Sequence, residues 1–164
     1  MRRVMLDLPN RELADTVDAR WAVAAALREL RPRIVVGPYP VDAHPDHVAA
    51  SALVAGGRFY AKLSKSRIAG EPHLVRRVYQ YAAIHASVAL RPSFVVPVGL
   101  ESLQRKLDAL AAYRSQFVEN PANAHVIGRM ETSARYWGGL VGAEAGEPFF
   151  ATEVLGVSSF ASLV

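Results

Sequence analysis

Apolar residues recur at helical spacing in four parts of the chain. The first run begins after Asn10, a good N-cap residue, and stops before Pro32, so it predicts a helix over residues 11–30. The second covers residues 45–65, with Pro45 at its first position, where a missing N–H costs nothing. The third covers residues 100–117, and residues 126–143 give a fourth, weaker pattern.

Short segments rich in β-branched residues separate these predicted helices. Residues 33–37 are bounded by proline and glycine and predict a buried strand. Residues 74–84 and 92–98 predict two more, and Pro97 indicates that the second of these ends there or lies at a sheet edge. Residues 147–157 close the sequence with a strand-like tail. The alternation of helix and strand predicts an α/β layered fold, with residues 1–164 forming a single domain.

Composition narrows the class of protein. The chain has 164 residues, no cysteine and a formal net charge of +4. Its basic residues are scattered and lack the interleaved aromatic residues of single-strand binders, so we expect no nucleic-acid partner. No apolar run approaches the roughly 20 residues of a membrane span, and the N-terminus lacks the apolar segment of a secretory signal. These features predict a cytoplasmic protein with no membrane partner.

Candidate chemistry is concentrated at His44-Pro45-Asp46-His47, between a predicted strand and a predicted helix. Open α/β sheets bind ligands at such junctions, beyond the carboxyl ends of their strands. Histidines three apart face the same side of a helix, and Asp46 could orient one ring through its N–H. The pattern is consistent with a metal site, a catalytic pair or a polar helix start, and the spacing leaves all three open.

A complete metal site is not evident from the sequence. Catalytic zinc normally takes three protein ligands, and this motif offers at most two. The other histidines, His73, His85 and His125, each stand alone, and we interpret them as structural. The sequence contains no Gly-x-Ser-x-Gly elbow, Walker A loop or Gly-x-Gly-x-x-Gly motif. Gly56-Gly57 and Gly138-Gly139 fit helix packing or termination better than phosphate binding.

Four segments resemble the PIG-L/LmbE-like family of zinc-dependent N-acetylglucosaminyl deacetylases. The similarity is greatest to the branch that deacetylates N-acetylglucosaminyl malate in bacillithiol biosynthesis. The segments are RVMLDLPNREL at 3–13, the run around DAHPDH at 27–54, RPSFVVPVGLESLQRKLDALAAYRSQF at 91–117 and AEAGEPFFATEV at 143–154.

The resemblance implies a Rossmann-like three-layer sandwich with a mostly parallel sheet, and hydrolysis of the N-acetyl group of an N-acetylglucosamine conjugate. It makes His47 a Zn²⁺ ligand and His44 a catalytic imidazole that stabilises the oxyanion or protonates the leaving amine. Asp46 would support the charge of His44, and Arg3 would bind the substrate, with the malate carboxylate as the expected contact.

The family's first metal motif, Ala-His-Pro-Asp-Asp-x-Glu, has no counterpart in these 164 residues. The resemblance therefore implies a fold that lacks its first βα portion, with one Zn²⁺ ligand present. Either the chain is a truncated copy or a partner supplies the rest, and we expect this chain alone to be impaired or inactive, and poorly stable or homo-oligomeric. The alternative is a non-catalytic pseudoenzyme or sugar-binding module derived from the same fold.

Overall fold

The computed structural model describes residues 2–83 and 90–163 and has the α/β fold class that the sequence predicts. The predicted structural role of His85 lies outside the described residues. The chain divides into two compact units, Met1–Leu90 with Phe150–Val164, and Arg91–Phe149. Each unit contains helices and a pair of strands.

The first unit is built on a parallel strand–helix–strand arrangement. Helix α1 spans Val17–Leu30, strand β1 spans Ile34–Pro38, helix α2 spans Pro45–Ala61 and strand β2 spans Arg77–Tyr81. Strands β1 and β2 pair in parallel, and α2 lies in the connection between them. The buried core of this unit consists of small and branched side chains from both helices and the following loop: Ala24, Leu27, Ala61, Ile68 and Val75.

Helices α1 and α2 approach closely because α2 carries a glycine at the contact. A Cβ atom on Gly57 would lie 2.4 Å from Cγ1 of Val23. Since real side chains do not approach to that distance, the position requires glycine. The interpretation of Gly56-Gly57 as a packing element is confirmed, although α2 continues through the pair to Ala61.

The first helix starts later than predicted. Asn10 is not its N-cap, because α1 begins at Val17, and the Thr16 side chain accepts a hydrogen bond from the Ala19 N–H. The preceding segment makes tertiary contacts instead. Arg11 has a φ of 67°, in the left-handed region, and its N–H donates to Asp46 Oδ2 at 2.6 Å. A helical backbone at Arg11 would break this contact.

A buried arginine joins α1 to the loop after α2. Arg28 is 4% exposed, and its guanidinium group carries five N–H donors. Each donor is close to one oxygen of the loop region: the carbonyls of Ala61, Leu63, Ile68 and Gly70 and the hydroxyl of Ser66, at 2.6–3.0 Å. The side chain therefore binds the last carbonyl of α2, at Ala61, together with carbonyl groups of the loop that follows the helix.

The C-terminal segment of the first unit is held by a second arginine. Arg58 of α2 donates to Glu153 Oε1 at 2.6 Å and to the backbone carbonyls of Val75 and Arg76. The hydrogen bond from Arg58 lowers the pKa of the Glu153 carboxyl, against an opposing effect of desolvation, and Arg77 adds to the lowering. Beyond Glu153 a single 3₁₀ turn forms at Phe160–Leu163.

The second unit contains an antiparallel strand pair and three helices. Strands β3 (Phe94–Val98) and β4 (Ala145–Phe150) pair in antiparallel register. Helices α3 (Leu100–Ala111), α4 (Arg114–Phe117) and α5 (Val126–Gly139) lie between them in the sequence, with a 3₁₀ turn at Pro121–Asn123. The edge position predicted from Pro97 is confirmed, because within the described residues β3 pairs with β4 alone.

Across residues 2–83 and 90–163, none of the helices combines the length and the apolar character that a membrane-spanning segment needs.

Candidate functional site

The predicted strand–loop–helix junction is present and places both histidines at the start of α2. Strand β1 ends at Pro38, and α2 begins at Pro45, with His44 as its N-cap residue. The His44 Nδ1 atom accepts a hydrogen bond from the Asp46 N–H at 3.1 Å. This bond satisfies one of the N–H groups that a helix start leaves without a partner, so the imidazole of His44 has a structural role in α2.

The two imidazole rings face each other. The rings of His44 and His47 are stacked, with their centroids 4.7 Å apart and an angle of 21° between their planes. His47 follows His44 by three residues, close to one helical turn, which places both side chains on the same side of α2. The side chain of His47 is 31% exposed, so its ring is accessible from solvent.

A buried carboxylate lies behind both histidines. The side chain of Asp42 is 1% exposed, and its Oδ1 atom accepts a hydrogen bond from the His44 backbone N–H at 2.8 Å. Its Oδ2 atom lies 3.1 Å from His47 Nδ1 in an ion-pair contact, and these two buried atoms are not aligned for a hydrogen bond. One side chain thus contacts the backbone of the first histidine and the ring of the second.

The side chain of Asp46 faces a different part of the chain. Its carboxylate oxygens accept hydrogen bonds from the backbone N–H groups of Arg11 and Leu13, at 2.6 and 3.4 Å. The support of His44 by the Asp46 carboxylate stays a prediction. What the structure shows for Asp46 is its backbone N–H on the His44 ring and its side chain on the segment that precedes α1.

The other residues singled out in the sequence have separate positions. Arg3 is exposed in the N-terminal segment that precedes α1, and its binding of substrate stays a prediction. A ring nitrogen of His73 lies 2.7 Å from the Pro32 carbonyl oxygen. His125 is the N-cap residue of α5, as predicted for a helix-start residue. His73 therefore lies in a loop, as the sequence predicts, but it is half-buried instead of at the surface.

The described residues do not form a complete metal-binding cluster. Within residues 2–83 and 90–163, no group of three or more histidine, aspartate and glutamate side chains is arranged to hold a metal ion. What the structure brings together is the pair His44 and His47 with Asp42. This arrangement offers imidazole nitrogens as donors and one carboxylate that orients a ring.

A cavity of about 350 Å³ lies beside the junction, on the side of α2 that faces the strands. Its wall includes Val48, Ser51 and Arg58 of α2, together with Gly37 of β1 and Gln80 of β2. Neither histidine lines it. Its mostly apolar wall differs in character from the polar junction at the start of α2.

Sequence reasoning missed Asp42 as a member of the site. The residue stands two positions before His44 in a loop, outside the interval between the histidines, so helical spacing gives no reason to include it. The available signal was the pattern Asp-x-His-x-x-His. An aspartate two residues before a helix cap can accept a backbone N–H, because its short side chain reaches back to the chain.

The fold of the chain is found in other proteins of known structure. The conserved protein TT1542 from Thermus thermophilus is 38% identical, with a TM-score of 0.80 over 92% of this chain and 65% of that one. The N,N'-diacetylchitobiose deacetylase from Pyrococcus horikoshii is 21% identical, with a TM-score of 0.71 over 94% of this chain and 59% of that one. The deacetylase fold that the sequence resemblance implied is therefore present.

A third similar structure is an enzyme of another class. The 4-carboxy-2-hydroxymuconate hydratase GalB from Pseudomonas putida KT2440 is 14% identical, with a TM-score of 0.76 over 94% of this chain and 66% of that one. This chain spans about three-fifths to two-thirds of the length of these three proteins. No protein-family model matches the sequence. Since the same fold occurs in a deacetylase and in a hydratase, the fold alone does not define the reaction.

Proposed function

We propose that the protein is a zinc-dependent hydrolase that removes the N-acetyl group of an N-acetylglucosamine conjugate, with N-acetylglucosaminyl malate as the expected substrate. The observation that carries this proposal is the stacked pair His44 and His47 at the start of α2, with Asp42 close to the ring of His47. A deacetylase among the proteins of the same fold supports the hydrolase class.

The donor set fits one part of a zinc site. A zinc-binding histidine usually donates its second ring N–H to a carboxylate, a backbone carbonyl or water, and a carboxylate oxygen of Asp42 lies 3.1 Å from Nδ1 of His47. Catalytic zinc takes three protein ligands, and the described residues provide no group of three. The proposal therefore requires further ligands from outside the described residues, whether from flanking sequence or from a partner.

Bound zinc would lower the pKa of a water ligand and polarise the amide carbonyl. Hydrolysis adds water across the amide C–N bond and yields acetate and the free amine. His44 would act on the oxygen that becomes negative in the tetrahedral intermediate. Its Nδ1 accepts the Asp46 N–H, so in the neutral ring the proton is on Nε2, which can donate to that oxygen.

The position of the site also suits this chemistry. The N-terminus of α2 carries a partial positive charge, which favours developing negative charge nearby. Arg3, exposed in the segment that the resemblance associates with substrate binding, would supply a cation for a carboxylate on the aglycone. Its role as a substrate ligand and the role of Asp46 remain part of the proposal.

The test measures zinc content and acetate release together. The protein is purified from its native source with any flanking sequence or partner that accompanies it, and is supplied with N-acetylglucosaminyl malate. We expect roughly stoichiometric zinc and release of acetate, both largely lost in His47→Gln. His73→Gln, a histidine away from the pair, is the matched control and should retain both.

Two results would overturn the proposal. Stoichiometric zinc without acetate release from any N-acetylglucosamine conjugate would refute the reaction while leaving a metal site. Zinc-free protein that still binds the sugar would instead establish the sugar-binding module. The zinc content distinguishes these two outcomes, and isothermal titration with N-acetylglucosaminyl malate measures the sugar binding.

A further inference from the structure

We infer that Asp42 and the start of α2 hold the two stacked imidazoles in opposite tautomers, which makes Asp42 the positioning residue of the site. In this arrangement His47 has its proton on Nδ1 and a lone pair on Nε2, and His44 has its proton on Nε2. The tautomers follow from the contacts of the two rings with an ionised Asp42 carboxylate and with the Asp46 N–H, whereas the use of the His47 lone pair as a metal donor rests on the proposed function.

The tautomer of His47 follows from what faces its Nδ1. The Oδ2 atom of Asp42 lies 3.1 Å away, and an ionised carboxylate can only accept hydrogen bonds. If Nδ1 carried a lone pair, the partial negative charge of that nitrogen would lie 3.1 Å from a negative carboxylate oxygen. A proton on Nδ1 relieves the repulsion, and since a neutral imidazole has one proton, Nε2 is left as the donor atom for a ligand.

The tautomer of His44 is set in the opposite sense by the backbone. The Asp46 N–H points at His44 Nδ1, with a donor–acceptor distance of 3.1 Å, so this nitrogen carries the lone pair. The single proton of the neutral ring is then on Nε2. The two Nε2 atoms therefore differ in chemistry, because one can bind a Lewis acid and the other can donate a hydrogen bond.

Burial makes Asp42 suited to this role. Its side chain is 1% exposed, and its second oxygen accepts the His44 N–H at 2.8 Å, which fixes the orientation of the carboxylate. A carboxylate that is both buried and held by the backbone cannot turn away from the His47 ring without breaking that bond. The same carboxylate of Asp42 thus holds the backbone of His44 and sets the tautomer of His47.

The substitution Asp42→Asn keeps the contact with the His44 backbone and changes the group that lies beside His47 Nδ1. The amide oxygen can still accept the His44 N–H, but the amide group then presents its NH₂ to His47 Nδ1. This donor favours a lone pair on Nδ1 and moves the proton of His47 to Nε2, while His44, whose partner is the Asp46 backbone, keeps its tautomer. His44 therefore serves as an internal control within the same spectrum.

The measurement is two-dimensional ¹H–¹⁵N correlation of the imidazole rings at about pH 8.5, where histidine side chains are ordinarily neutral. Signals are assigned with His44→Asn and His47→Gln variants. We expect Nδ1–H for His47 and Nε2–H for His44 in the natural protein, and Nε2–H for both rings in Asp42→Asn. Asp108→Asn, the same change on α3 of the second unit, should leave both tautomers unchanged.

A second readout is zinc affinity in the native protein. We expect Asp42→Asn to weaken zinc binding by about 10- to 100-fold, the range typical of lost carboxylate–histidine contacts, with no change in Asp108→Asn. A natural protein with the His47 proton on Nε2 would overturn the inference, and so would an unchanged His47 tautomer in Asp42→Asn. The natural protein alone decides the question if the variant fails to fold.

The result of the tautomer measurement is independent of the result of the zinc and acetate assay. The expected tautomers in a protein that binds no zinc would refute the proposed function and leave Asp42 as a positioning residue. Zinc binding and acetate release with the His47 proton on Nε2 would support the proposed function and refute the positioning role of Asp42.

Discussion

Gly138 of α5 lies directly against the backbone of Ala145 at the start of β4. A Cβ atom on Gly138 would be 2.4 Å from the Cα and carbonyl carbon of Ala145. The contact lets α5 pack on the strand with no side chain between them. It also confirms a packing role for Gly138, the first glycine of the Gly138-Gly139 pair.

This contact predicts that Gly138→Ala destabilises the protein. The added methyl group meets backbone atoms, which cannot move aside as a flexible side chain can, so we expect a loss of roughly 1–3 kcal/mol in the free energy of unfolding. Gly139→Ala is the control, since no atom lies within 4 Å of a Cβ there. It should be neutral or stabilising by up to about 1 kcal/mol. Equal effects in urea unfolding would contradict the packing role.

Arg28 gives a second prediction. Arg28→Lys should destabilise the protein by roughly 2–5 kcal/mol, because lysine keeps the charge but cannot reach five oxygens with a planar group. The measurement is urea unfolding, and Arg105→Lys on α3 is the control. Arg105 forms an exposed ion pair with Glu101, so that change should alter the stability by less than about 1 kcal/mol.

His44 allows the cap and the catalytic role to be tested separately. His44→Ala removes the side chain that accepts the Asp46 N–H and should cost about 1 kcal/mol of stability. Asparagine is a good N-cap residue, so His44→Asn should recover most of that loss. If His44 is also catalytic, neither variant should restore acetate release. An Asn variant as unstable as the Ala variant would show that capping is not what His44 contributes.

The ion pair of Arg58 and Glu153 predicts a pH dependence. The folded protein lowers the pKa of the Glu153 carboxyl from its ordinary value of 4.5. The pair therefore stabilises the fold above about pH 4.5 and loses its effect as the pH falls through the lowered value. Glu153→Gln should cost less than about 1 kcal/mol at pH 7, since the pair is exposed to solvent.

The difference between Glu153→Gln and the natural protein should shrink below about pH 4.5. Unfolding in urea at a series of pH values from about 7 down to about 3 measures it. Glu71→Gln, at an exposed position, is the control and should show no such trend. A difference that stays constant with pH would count against the ion pair.

Strand β1 predicts self-association. It pairs with β2 on one side, and within the described residues no strand covers its other edge. Ile34 and Val36, which share one face of β1, are 54% and 47% exposed. We expect the purified chain to associate, and Val36→Lys to reduce the association seen by sedimentation velocity. Val141→Lys, at an equally exposed valine, is the control, and a sharply melting monomer would contradict this expectation.

Local signals predicted much of the first unit. Pro45 at the first helical position and a polar residue before it mark the start of α2 correctly, since capping depends only on neighbouring residues. The proline-bounded strand is also found, at Ile34–Pro38. These elements position His44 and His47, so the placement of the histidine pair could be derived from the sequence.

Long-range contacts account for what the sequence did not predict. The start of α1 is displaced because Asp46, more than 30 residues later, binds the backbone of Arg11 and Leu13. Arg28 has the sequence appearance of a surface charge, but four of its five oxygen partners are backbone carbonyls, which have no sequence signature. Asp42 was not predicted for a similar reason, because its contacts with His44 and His47 depend on the conformation of the loop before α2.

The three groups of the site, Asp42, His44 and His47, lie within six consecutive residues. The chain entropy lost when they meet is small, because the loop they close is short. The arrangement can therefore form as soon as α2 is in place, without waiting for distant parts of the polypeptide. Ligands recruited from elsewhere would have to approach a preformed pair, so assembly of the whole site would be limited by that later encounter and not by the histidines.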